Sequence, residues 1–231
     1  ARAEEYPKGE YTNSHSYDLI RYKLLVASAK SPKEAAIFLR KALNESKSSV
    51  KEDLPIRYGL AYAYISTREF APARQQVDHL LKDNPDDIAY LLLAAKLETA
   101  QPNYDAAFNV FEKAYGLYPD YRPVVITYSK ALLDVSNGKE AKKVLTNYAR
   151  HHEHDIDTYS LLGQAEGLLG NEVETAFLQS KYYFLAGATK AAADKLTFIK
   201  QQYQLDYYQE QRINAWMAEL QYELELEQGL K

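Results

Sequence analysis

The sequence predicts an all-α solenoid, a stack of helical hairpins. Three observations carry this reading. An internal period of 34 residues sets Ala73, Ala107 and Ala141 at one recurring position, and Pro85 and Pro119 at another. Apolar residues recur at helical spacing along most of the chain, while the 8 Pro and 9 Gly fall mostly between those stretches. A stretch of this length cannot hide its own apolar face, so each hairpin must bury it against its neighbours.

The elements follow in order. Residues 1–13 are polar and aperiodic and read as a lead-in. A first helix begins at Ser14, with Tyr17, Leu19, Ile20, Leu24 and Leu25 at helical spacing. Ser31 as N-cap and Pro32 at the first helical position open a second helix over 32–47, completing a repeat over 14–47. After the polar loop 46–49, the repeat over 54–87 reads Arg57-x2-Leu60-Ala61-x2-Tyr64, then Ala73-x3-Val77, Leu80 and Pro85. Small Ala61 and Ala73 let the paired helices approach, Tyr64 and Val77 fill the space beside them, and Pro85 ends the second helix. The repeat over 88–121 reads Leu91-x2-Ala94-Ala95, Ala107-x3-Phe111, Ala114 and Pro119, with Glu98 standing where Tyr64 stood. The repeat over 122–155 reads Val125-x2-Tyr128-Ser129, then Ala141-x3-Leu145, with Asn137-Gly138 at its turn and Glu153 in place of the closing proline.

Beyond this point the register slips. A single helix over 156–169 carries Tyr159, Leu162 and Gly163, yet the next well-placed alanine, Ala192, lies 51 residues past Ala141. That is one and a half periods, so the helix over 172–186 is expected to pair both backward and forward. Gly187 ends that helix, and a repeat over 172–203 closes with the next one. A last helix over 207–227, with Ile213, Trp216, Leu220 and Leu224 on one face, is expected to cap the stack.

Composition narrows the function. Of 231 residues 46% are hydrophobic and 26% charged, which supports a folded core rather than a disordered chain. The net charge of −4 and the lack of a long basic stretch point away from nucleic acid. No apolar run approaches the ~20 residues of a membrane span. With no cysteine there is no disulfide framework and no thiolate metal site. The chain opens at Ala1-Arg2 without a signal peptide, as a processed protein or an excised domain would. No glycine-rich phosphate loop, nucleophile elbow or metalloprotease motif occurs, so the chain itself is read as non-catalytic and without a cofactor. Glu223, Glu225 and Glu227 read as a solvated helix face. His151, His152 and His154 form the one histidine cluster, and a polar inter-repeat loop is the reading preferred over a metal site, which needs several converging, supported ligands.

The 34-residue pattern is similar to the tetratricopeptide repeat, a helix–turn–helix unit. That resemblance implies a right-handed superhelix that binds proteins along a wall made by the first helices, with four positions of each helix facing inward. Projected onto this chain, those positions are Tyr58, Tyr62 and Ile65, then Leu92, Lys96 and Thr99, then Ile126, Lys130 and Leu133. Lys96 and Lys130 are 34 apart: stacked ammonium groups there would receive a carboxylate or acidic segment, and otherwise they are solvated surface lysines. Tyr58 and Tyr62 are either interface anchors or packing residues of their own helix.

A narrower resemblance rests on the C-terminal third. Tyr159-Ser160-Leu161-Leu162-Gly163-Gln164-Ala165-Glu166 is followed by Leu168, Gly170, Asn171 and Glu174, then Tyr183-Phe184-Leu185-Ala186-Gly187, Ala192, Asp206-Tyr207-Tyr208, Arg212-Ile213 and Leu220. This resembles the repeat domain of the BepA-type (YfgC-like) periplasmic zinc metalloproteases over about residues 14–222. The resemblance implies a periplasmic location and an N-terminal metallopeptidase domain with an HExxH zinc motif. It also implies that the repeat domain contacts the outer-membrane β-barrel assembly machinery, its substrate proteins and its own protease domain. The nearest string here, His152-Glu153-His154-Asp155-Ile156, has Ile where the second histidine would stand, so the zinc site does not transfer. The alternative is a stand-alone adaptor in secretion or pilus assembly.

Overall fold

The computed structural model describes residues 15–46 and 50–229. The lead-in 1–13, Ser14 and the loop residues 47–49 lie outside them. The described residues form twelve α-helices and no strand. They group into two compact units, divided between Leu117 and Tyr118.

The first unit holds α1 (His15–Ser28), α2 (Pro32–Glu45), α3 (Val50–Ser66), α4 (Phe70–Asp83), α5 (Ile88–Ala100) and α6 (Tyr104–Leu117). Each helix packs on the next, and α1, α3 and α5 also pack on one another in turn. Ser31 caps α2 by accepting from the Glu34 N–H at 3.2 Å, and Asp87 caps α5 by accepting from Ala89 and Tyr90 N–H. The core is continuous from Leu19 and Leu39 through Leu60, Val77 and Leu80 to Tyr90 and Leu97. Where α3 crosses α1, a methyl group on Gly59 would stand 2.9 Å from Tyr22 Cβ, so only glycine permits that approach. Two details differ from the sequence reading. The third helix begins at Val50, a turn ahead of residue 54, and takes Pro55 inside it. On α1 the helical period ran around the whole cylinder: Leu19 and Val26 are buried, while Tyr17, Ile20 and Leu24 are exposed.

The second unit holds α7 (Arg122–Asp134), α8 (Gly138–Ala149), α9 (Ile156–Leu168), α10 (Glu172–Leu185), α11 (Thr189–Gln202) and α12 (Tyr207–Gly229). Sequential helices again pack in turn, and α7 meets α9. Asp155 caps α9 through the Thr158 N–H and is paired with Arg122. Burial raises the Asp155 pKa, but the Arg122 and Thr158 hydrogen bonds outweigh it and hold the carboxyl below its usual range. The end of the unit is pinned by a buried relay: Trp216 Nε1–H donates to Ser180 Oγ at 3.0 Å, and Ser180 donates to the Ala192 carbonyl at 2.9 Å. Phe184 meets the Trp216 ring edge-on at 5.1 Å. Glu227, expected to be solvated, accepts from Thr189 Oγ1 at 2.5 Å and so ties α12 back to the start of α11.

One turn recurs. The N–H of Glu69, Asn103, Asn137 and Asn171 donates five residues back to the carbonyl of Tyr64, Glu98, Leu132 and Glu166, at 2.8–3.0 Å. This is the helix-ending bond of a Schellman motif, and Arg68, Ser136 and Gly170 take the left-handed conformation it needs. The turn after α10 is the same device out of step: Ala188 N–H donates to Tyr183 O, with Gly187 left-handed. Helix α10 therefore packs on both α9 and α11.

Glu98 turns from a departure into a design feature. Its carboxylate is buried, pairs with Arg74 of α4 at 2.5 Å and accepts from Asn103 Nδ2 at 3.0 Å. Two periods on, buried Glu166 pairs with Lys142 of α8 at 2.7 Å and accepts from Asn171 Nδ2 at 2.6 Å. Each carboxylate thus joins a second helix, the next first helix and its turn. One period after Arg74 and Glu98, the same register positions hold the apolar residues Phe108 and Leu132. Arg74→Phe alone strands the buried Glu98 carboxylate and is expected to cost about 1–3 kcal/mol. Adding Glu98→Leu should recover most of that loss. Urea unfolding of the four members of this double-mutant cycle checks the coupling.

Candidate protein-binding surface

The inward positions of the first helices do not share one environment. On α3, Tyr58 and Tyr62 are half-buried, and on α5 Leu92 is half-buried and Lys96 exposed. Tyr58 leans on the wholly buried Tyr90, ring centroids 6.3 Å apart, so its ring belongs as much to packing as to the surface. Tyr62 is different. Lys96 Nζ stands 3.9 Å from its ring centroid, and Lys23 of α1 approaches the same ring at 5.8 Å. Three consecutive first helices thus converge on one tyrosine.

The electrostatics follow from that placement. Burial pushes the Tyr62 pKa up, but the hydrogen bond with Lys96 and the positive charges of Lys96 and Lys23 overcome it, and the hydroxyl ionises below its usual range. With both lysines exposed, each cation–ring contact is worth about 0.5–1 kcal/mol at most. Chemically the cluster offers two ammonium groups and a phenol edge to an acidic ligand. Thr99, the last inward position of α5, donates to the Lys96 carbonyl at 3.1 Å.

Two residues of the projected wall are corrected. Ile65 is only 4% exposed and Ile126 only 6%, so neither offers surface to a partner. Ile65 sits three residues past Tyr62, rotated from the open face into the cluster that α1–α5 share. Ile126 follows buried Val124 and Val125 near the start of α7, where the helix is covered on all these sides. Lys130 is exposed and Leu133 half-buried, both on α7 of the second unit. Lys23 lies outside the projected wall, which begins at α3, and only the packing of α1 on α3 brings it to the Tyr62 ring.

The histidine loop shows a packing role instead of convergence: His152 stacks on Tyr148 with centroids 4.0 Å apart. Among the described residues no three His, Asp or Glu side chains gather as a metal-binding group. The second unit also holds an open cavity of about 730 Å³, lined among others by Lys142, Glu166, Asn171, Tyr203 and Arg212. Its cations are already matched, Lys142 by Glu166 and Arg212 by Glu174.

Comparison with known proteins agrees with this architecture. Residues 27–97 match the family model described as tetratricopeptide repeat. The chain is 27% identical over 176 residues to the β-barrel assembly-enhancing protease of Escherichia coli K12, covering 76% of this chain and 36% of that protein. It therefore spans about a third of the length of the curated relatives it matches. Among solved structures, a tetratricopeptide repeat protein from Parabacteroides merdae superposes with a TM-score of 0.53 at 14% identity, covering 90% of this chain and 86% of that one. YrrB, described as a repeat protein with an unusual peptide-binding site, gives 0.54 at 14% identity, covering 75% and 88%. The fold is that of the tetratricopeptide repeat, and no described helix is long and apolar enough to cross a membrane.

The Tyr62 environment has a direct test. Lys96→Met removes both the hydrogen bond and the nearer charge, so the Tyr62 pKa should rise while the fold is kept. NMR titration of ring-labelled tyrosine, with Tyr62→Phe for assignment, reads that shift.

Proposed function

We propose that this chain is the protein-binding repeat portion of a periplasmic protease of the β-barrel assembly-enhancing type, serving quality control of outer-membrane β-barrel proteins. The observation that carries the proposal is the match to that protease over three quarters of this chain. In this reading the repeats dock the outer-membrane assembly machinery or its client proteins and present them to a metallopeptidase domain elsewhere in the longer protein. Zinc chemistry belongs to that domain, since no HExxH string stands in the present sequence.

The docking surface follows from the first unit. Tyr62 is held between Lys23 and Lys96 and is the anchor, because a half-buried aromatic loses little freedom on binding. The lysines receive acidic side chains or a terminal carboxylate of the client, and Leu92 and Tyr58 supply the flanking apolar contact. The solved repeat protein with a peptide-binding site supports a peptide segment as the ligand form. Tyr58→Ala with Tyr62→Ala should weaken capture of a purified unfolded outer-membrane protein by roughly 30-fold, the loss expected of a hot spot. The circular dichroism of the chain should not change. Capture at full strength by the folded double variant would remove this wall from the mechanism.

A second reading, a free-standing adaptor, is favoured by the same solved relative, in which comparable repeats make up nearly all of the chain. The reading frame upstream of Ala1 separates the two: an HExxH motif supports the protease, and a signal peptide directly upstream supports the adaptor.

A further inference from the structure

Helix α12 is apolar on two faces. Its inner face, Ile213, Trp216 and Leu220, is buried and fixed by the Trp216–Ser180 hydrogen bond. Its outer face is open: Tyr208 is 82% exposed, Tyr222 62% and Leu226 44%. Ala215 and Ala218 are exposed between them. Tyr208, Gln211, Ala215, Ala218 and Tyr222 follow the alternating three- and four-residue spacing of a heptad seam. α12 is the last described helix, and its outer face is not the polar one of a solenoid cap. This one presents large aromatic residues at two ends of a stripe and small residues at its centre, a profile that lets a second helix approach to about 8 Å.

Charge selects the occupant. α12 carries Glu210, Glu219, Glu223, Glu225 and Glu227 against the single Arg212, and that arginine is already paired with Glu174. A second α12 laid on the seam would set five glutamates against five. A basic helix would meet Glu219 and Glu225 on the two flanks of the seam. We propose that the outer face of α12 docks a basic amphipathic helix of a partner protein, which seats its apolar side on the Tyr208–Tyr222 seam and its lysines or arginines beside Glu219 and Glu225. This surface lies on the second unit and does not depend on the Tyr62 wall.

The probe is a labelled three-heptad peptide with Leu on one face and Lys on the other. It is compared with a Glu/Leu peptide of the same pattern and with a Lys/Leu peptide of the same composition in scrambled order. Fluorescence anisotropy with the full chain at physiological salt should show binding of the patterned basic peptide alone. Ala218→Arg with Tyr222→Lys should weaken it at least tenfold, with unchanged circular dichroism because Ile213, Trp216 and Leu220 are untouched. Tyr62→Ala should leave it unaffected. Equal binding by the scrambled peptide, equal binding by the folded seam variant, or no binding at all overturns the proposal. So does sedimentation of the chain as a dimer that the seam variant dissociates, which would assign the seam to a second copy.

Discussion

Close approach of helix to helix is the constraint from which the rest of this structure follows. Ala61, Ala73, Ala95, Ala107, Ala141 and Ala192 are all fully buried, each on a face turned toward a neighbouring helix. At Gly59 and Gly138 even a methyl group would collide, at Gly138 with the Ala165 carbonyl 2.9 Å away. With backbones this near, the larger residues beside the contacts, Leu39, Leu60, Leu80, Leu145 and Leu196, are sealed from water completely. No single hairpin achieves this burial alone. Stability is therefore shared between neighbours, and the recurring Schellman turn ends α3, α5, α7, α9 and α10 in the same way, so the hairpins that follow them close alike.

The buried carboxylates of Glu98 and Glu166 show how polar chemistry is admitted to such a core. A carboxylate sealed from water needs a cation and further hydrogen bonds to remain there. Both receive the same set: a basic side chain from the preceding second helix and the amide of the turn asparagine. Because the partners come from three different segments, the interaction fixes register between hairpins in a way that interchangeable leucines do not.

Surface chemistry divides along the same lines. In the first unit, cations gather around a half-buried tyrosine, and the ring holds the lysines in place without neutralising them. In the second unit, the exposed apolar seam of α12 is flanked by carboxylates. The two surfaces have opposite charge, so the ligands proposed for them are of opposite character.

The sequence by itself determined the repeating α-helical class, since a 34-residue period with small residues at fixed places has one packing solution. Ser31 and Pro32 marked a helix start, Asn137-Gly138 a turn, and Ala73, Ala107, Ala141 and Ala192 the core, because capping, turn chemistry and small-residue packing are local needs that leave a local signature. Tertiary structure decided what each inward position became. Ile65 and Ile126 share a spacing rule with Tyr62 and Lys96, yet neighbouring helices cover the first two and leave the others open. Likewise Glu98 read as an irregularity until Arg74 and Asn103 were seen around it, and Lys23 acquired a role only beside Tyr62. Periodicity reports the direction a side chain leaves its own helix, whereas burial and pairing depend on what the rest of the chain places in front of it.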